Sequence, residues 1–133
     1  MVRILQDSIN TPLLAAADDA VARHHFDEAE SIYKRIVSSC EKELGRLHPS
    51  VAVAQEHLAN LYRTQSRYHD AEPLLITTFK IKLRSLGRDN LEVALALRNL
   101  TEVWELLGKL EEAARARACA SDLIVRQLSA GAT

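Results

Sequence analysis

The side chains that could do chemistry in this chain do not converge. Its five histidines, His24, His25, His48, His57 and His69, never fall four apart around a glutamate, the spacing that lets one helix face hold zinc. The adjacent acids Asp18-Asp19 and Glu111-Glu112 would serve acid–base catalysis only if both carboxylates met one substrate. Neighbours on a helix point about 100° apart, so each pair reads as surface charge. The cysteines Cys40 and Cys119 have no paired spacing and indicate neither a metal knuckle nor a disulfide framework. Cys40 falls on an apolar stripe and reads as a small core residue, whereas Cys119 reads as accessible. No glycine-rich phosphate loop and no nucleophile elbow is present. The chain is therefore expected to be no enzyme, with no catalytic residue, no metal and no cofactor.

Composition narrows the partners. Of 133 residues, 47% are apolar and 26% charged, the balance of an ordinary globular chain. The net charge of -1 offers no field for nucleic acid or an anionic membrane. Aromatics are few and Ala and Leu many, which suits close helix packing and not base stacking. The first residues, Met1 to Asp7, lack the apolar run of a signal peptide, and no stretch is long and apolar enough to span a bilayer. A reducing compartment, the cytoplasm, is the expected location.

What must position the remaining polar residues is a repeat. Phe26-Asp27-Glu28-Ala29-Glu30 returns 42 residues later as Tyr68-His69-Asp70-Ala71-Glu72, and again as Leu110-Glu111-Glu112-Ala113-Ala114. Leu44-Gly45 returns as Leu86-Gly87. Leu58, Leu61 and Tyr62 return as Leu100, Val103 and Trp104. A fixed period of this size marks a solenoid, whose units bury their apolar faces only against neighbours.

About six helices follow from apolar spacing and breakers. The clearest covers 26–44, with Ala29, Ile32, Tyr33, Ile36, Val37, Cys40 and Leu44 on one stripe and Gly45 as its stop. Others are expected over 49–65, opening at Pro49, over 68–86, with Pro73 near its start, and over 90–107, opened by a capping box of Asp89 and Glu92. The last, over 110–129, carries Leu110, Ala113, Ala114, Ala120, Ile124 and Leu128. The first is expected to be short, from Thr11 to Arg23, because Pro12 would lie inside a longer one. Residues 1–10 would then be a lead-in or cap, 11–129 one domain of three repeats (11–47, 48–89 and 90–129), and 130–133 a tail. The short links His24-His25, Ser66-Arg67 and Gly108-Lys109 demand antiparallel helix hairpins. Ala29, Ala71 and Ala113 are expected buried where helices cross.

His48-Pro49-Ser50-Val51-Ala52, His57-Leu58-Ala59-Asn60-Leu61-Tyr62, Gln65-Ser66-Arg67-Tyr68-His69-Asp70-Ala71-Glu72 and Leu86-Gly87 together resemble the tetratricopeptide repeat, in its 42-residue kinesin-light-chain variety. The resemblance covers nearly the whole chain. It implies an all-α fold, a right-handed α-solenoid of three helix hairpins. It also implies that the first helices of successive repeats line a concave groove for a peptide or a partner's helix. By that geometry Leu14, Asp18, Glu56, His57, Asn60, Arg63, Arg98, Asn99, Glu102 and Glu105 face the groove. Asn99 matches the family's backbone-gripping asparagine, and His57 and Ala15 replace it in the other repeats. Leu14, Asp18 and Leu95 stand where the carboxylate clamp of heat-shock co-chaperones needs basic or amide groups, so that activity is not implied. The plainer reading of the same positions is a solvated face, with Arg98 and Glu102 as an i,i+4 pair.

The ends carry their own expectation. Leu13, Leu14 and Ala17 near the start, and Ala116, Cys119 and Leu123 on the last helix, form apolar stripes with no evident cover. Self-association through the terminal helices is the rival function to groove binding, the chain acting as a scaffold or as part of a longer array. Alternatively Val2, Ile4, Leu5 and Ile9 fold back over the first helix. Arg117, amid the last stripe, is expected to pack its stem and keep its head in water.

Overall fold

The computed structural model describes the backbone of residues 2–131 and the side chains of 12–126, 128 and 129. Six helices follow one another: α1 Val2–Ala22, α2 Phe26–Leu44, α3 Pro49–Thr64, α4 Tyr68–Leu86, α5 Leu91–Leu106 and α6 Leu110–Gly131. Each packs on the next along the chain, so three antiparallel hairpins stack into an all-α solenoid. No strand occurs among the described residues.

The middle helices follow their stripes. Tyr33, Ile36, Val37 and Cys40 of α2 are buried against Val51, Ala52, Leu58, Ala59, Leu61 and Tyr62 of α3. Ala29, Ala71 and Ala113 are all at most 2% exposed, as their recurrence requires.

The connections repeat as faithfully as the helices. The residue closing the turn inside each hairpin has a positive φ: His24 at 62°, Ser66 at 60° and Gly108 at 81°. Between hairpins, Gly45 and Gly87 take φ of 94° and 84°. A latch then ties each repeat to the next. The Glu30 carboxylate accepts a bond from Arg67 at 2.7 Å, and the Arg67 guanidinium lies 4.5 Å over the Tyr62 ring. One period on, Glu72 accepts from Lys109 at 2.6 Å and from Trp104 Nε1 at 2.7 Å. The third position is Ala114, which carries no carboxylate for such a latch.

Several expectations fail, each for a local reason. α1 is not short: it begins at Val2 and carries Pro12 inside it. Proline removes one helical N–H, and neighbouring turns can carry the helix past it. Residues 2–10 are thus the first turns of α1, not a loose lead-in, and a continuous helix cannot fold back over itself. α6 runs to Gly131, into the expected tail. Asn90, not Asp89, caps α5, its Oδ1 accepting the Glu92 N–H at 2.8 Å. A helix N-terminus needs one side-chain oxygen for a free donor, and either residue type supplies it. Pro73 sits beyond the first turn of α4.

The largest revision is the rotation of α6. Ala113, Ala116, Ala120 and Leu123 face the interior, whereas Leu110 and Leu128 are 66% and 70% exposed. The supposed uncovered stripe is the core stripe. Ala116 and Ala120 pack with Leu97, against Phe79 and Trp104. Ala17 is likewise fully buried and Leu13 and Leu14 are half-buried against the core, so of the proposed self-association residues only Cys119 is exposed. Short alanines on both flanks of α6 make its apolar moment ambiguous, and packing on α5 decides the angle.

Candidate functional site

The polar positions of α1, α3 and α5 are not equally available. Arg63 of α3 and Glu102 of α5 are joined by an ion pair at 2.6 Å, with Arg63 largely covered. This pair bridges the first helices of two successive repeats. It replaces the expected pairing of Glu102 with Arg98. Glu56 is engaged with Lys82 of α4, and Glu105 with Arg117 of α6. Arg117 thus lies on the surface, its side chain 61% exposed and its head paired with Glu105, where a packed stem and a free head were expected.

His57 is half-buried, its ring stacked on Tyr33 at 5.7 Å between centroids and 15° between planes. The Tyr33 hydroxyl donates to Asp18 Oδ1 at 2.6 Å. Burial first, and then this bond to a carboxylate, hold the Tyr33 hydroxyl protonated well above the usual phenol range. The line Asp18–Tyr33–His57 therefore ties α1, α2 and α3 together, a role that residue types alone did not reveal. The recurring apolar stripe had named Tyr33 only as core.

Asn60, Arg98 and Asn99 remain. None has a side-chain partner among the described residues, and Asn60 and Arg98 are exposed. Asn60 shares a shallow cleft of about 410 Å³ with Arg63, Thr64, Tyr68 and Leu106. Arg98 and Glu102 line a second hollow of about 300 Å³ with Arg117, Ser121 and Ile124, between α5 and α6. Chemically these surfaces offer amide donors and acceptors, a guanidinium and aliphatic floors. Such groups grip peptide backbone and acidic side chains. Among the described residues no three His, Cys, Asp or Glu side chains gather as metal ligands, and no helix is long and apolar enough to cross a membrane.

A stack of helix hairpins with ordered polar first helices defines a repeat scaffold. The tetratricopeptide-repeat family profile matches residues 8–81 and again residues 50–123, and the chain belongs to that family. Repeats of this family mediate protein–protein interaction. Among solved structures, the chain is similar to the "putative kinesin light chain nearly identical TPR-like repeats" of Podosopora anserina. The TM-score is 0.74 at 19% identity, over 88% of this chain and 56% of that one. A single-substitution variant of the same repeats gives a TM-score of 0.76 at 19% identity, over 88% and 55%. This chain thus spans little more than half the length of those chains, and the likeness bears on the fold. No curated protein matches.

Proposed function

We propose that the chain is a non-catalytic interaction module that holds a peptide or a partner's helix along α1, α3 and α5. One observation carries the reading: Asn60, Arg98 and Asn99 stand on the first helices of adjacent repeats with no side-chain partner of their own. Asn99 is half-buried, and its side-chain amide offers both a donor and an acceptor to a bound backbone. The Arg63–Glu102 pair beside them is formed within the chain, so these two side chains are not the ones left without partners. A reducing compartment such as the cytoplasm suits the exposed Cys119 thiol.

Partners captured from the native cell should bind the variant Arg98→Ala with Asn99→Ala at least about tenfold more weakly, the scale of a lost hydrogen-bonded charge. The melting temperature should move by no more than about 4 °C, because neither side chain is in the core. Undiminished binding would place the contact surface elsewhere.

A second reading, self-association through α6, is favoured by Val125 and Leu128, exposed to 60% and 70% on that helix. Light scattering behind a sizing column discriminates the two. A strict monomer at about 100 μM chain excludes the second reading.

A further inference from the structure

One cleft on the molecule is built unlike its own repeat. It opens between α2 and α4, beneath the Gly45–His48 connection, with a volume of about 890 Å³. Its walls are Glu41 and Leu44 of α2, the connection itself, and Thr77, Lys80 and Arg84 of α4. Gln55 of α3 also lines it. It shares no residue with the groove positions of α1, α3 and α5.

The period supplies an internal comparison. Shifting these residues by 42 gives Leu83, Arg88, Leu97, Cys119, Asp122 and Arg126, which line a cleft of about 550 Å³ between α4 and α6. That second cleft is self-sufficient. Arg126 pairs with Asp122 at 2.9 Å and reaches Asp89 at 4.0 Å, and Leu97 lines the cleft. In the first cleft, Lys80 replaces Asp122 and Leu47 replaces Asp89. Arg46, Lys80 and Arg84 consequently have no ion-pair partner among the described residues, and the single acid at the cleft, Glu41, pairs with none of them.

Gln55 is the second, independent sign. The equivalent residues of the other repeats are Leu13 and Leu97. Gln55 is 6% exposed, and its Oε1 is buried with no hydrogen-bond partner. An amide at a leucine position destabilises a repeat unless something donates to it. At the rim, His48 Nδ1 accepts the Ser50 N–H at 3.1 Å, which leaves the proton of the neutral ring on Nε2 as a further donor.

We propose that this cleft is a second binding site and that its ligand is an acidic peptide segment. Carboxylates of the segment meet Arg46, Lys80 and Arg84, and a backbone N–H of the segment meets Gln55 Oε1. A fully ionised inorganic anion such as sulfate accepts hydrogen bonds only, so it would leave the glutamine oxygen unsatisfied. The cleft volume also falls at the upper end of the range for ligand sites, about 300–1,000 Å³, which suits several residues of chain.

Fluorescence anisotropy with a short fluorescein-labelled peptide of alternating aspartate and glycine tests this on the full chain. The peptide should bind the parent protein, more weakly as salt rises. Lys80→Asp, which installs the acid of the third repeat, should weaken binding about tenfold or more. Gln55→Leu should weaken it several-fold while raising the urea midpoint, since leucine already fits the same place in two repeats. Arg98→Ala with Asn99→Ala should leave it unchanged, so the outcome is independent of the groove reading. Equal affinity for the parent and for Lys80→Asp overturns the proposal. So does an absence of binding at about 1 mM protein, the weak end of specific association. Displacement by inorganic phosphate as effective as by unlabelled peptide overturns the peptide assignment.

Discussion

His24, Ser66 and Gly108 occupy one place in three successive hairpins and share a left-handed backbone. Only the third is the residue type that takes this conformation freely. A side chain there costs about 1 kcal/mol or more, partly offset because glycine loses more freedom on folding. Ser66→Gly should therefore stabilise the chain by about 0.5 kcal/mol, read as a higher urea midpoint with an unchanged slope. Gly87→Ala should do the opposite, costing roughly 1–3 kcal/mol, because Gly87 at φ 84° and ψ 167° lies in a region open essentially to glycine alone. Nothing lies within 4 Å of a Cβ placed at Gly87, so the whole effect would be conformational. Ala71 presents the steric counterpart. It is fully buried, and Ala71→Leu should cost roughly 1–3 kcal/mol by overpacking, measured the same way.

At the scale of elements, the hairpins are held by the latches on Glu30 and Glu72. The Lys34 and Arg67 bonds lower the Glu30 pKa against a smaller opposing effect of burial, with Lys34 the larger cause. The Lys109 bond, and secondarily the Trp104 bond, lower that of Glu72. Both carboxyls titrate below their unfolded range, so their contribution is complete above the unfolded carboxylate pKa, about 4.3, and lost as pH falls through the folded values. The chain should thus lose stability from about pH 5 downward. Glu72→Gln should be less stable than the parent near neutral pH and should flatten that acid limb. Urea midpoints collected across the range would show it, and parallel curves for parent and variant would refute the latch. The third repeat, with Ala114 at this place, has no such dependence to lose.

The whole molecule is a line of hairpins, each packed chiefly on its neighbours among the described residues. Stability in such an array is a sum of local and nearest-neighbour contributions, so its ends open before its middle. α3 has neighbours on both sides and buries Val51, Ala52, Ala54, Leu58, Ala59, Leu61 and Tyr62, whereas α6 is covered from one side only, through small residues. Hydrogen exchange should be slowest in α3 and the first half of α4, and fastest in the last turns of α6. Uniform protection along the chain would instead mean a single cooperative unit.

The repeat period, five of the six helices to within about two residues, the core alanines and the family were all legible in the residues, because apolar spacing and glycine stops are local signals. The Phe26–Leu44 and Tyr68–Leu86 spans needed nothing beyond the chain itself. Candidate groove positions could be named in the same way, but not which were free. Arg63 pairs with Glu102 across 39 residues, and Lys82 with Glu56 across a hairpin, because stacking brings their helices together. Only the packed structure separates these engaged side chains from Asn60, Arg98 and Asn99. The angle of α6 was equally undetermined. A helix with alanine on several faces has no single apolar stripe, and its rotation is chosen by what α5 presents to it. Gln55 shows the same division. Its departure from Leu13 and Leu97 stands in the sequence, but that its oxygen is buried without a partner, in a residue lining one cleft with three unpaired cations, is a fact of three dimensions. Local chemistry is written along the chain; which groups satisfy one another depends on contacts between residues far apart in it.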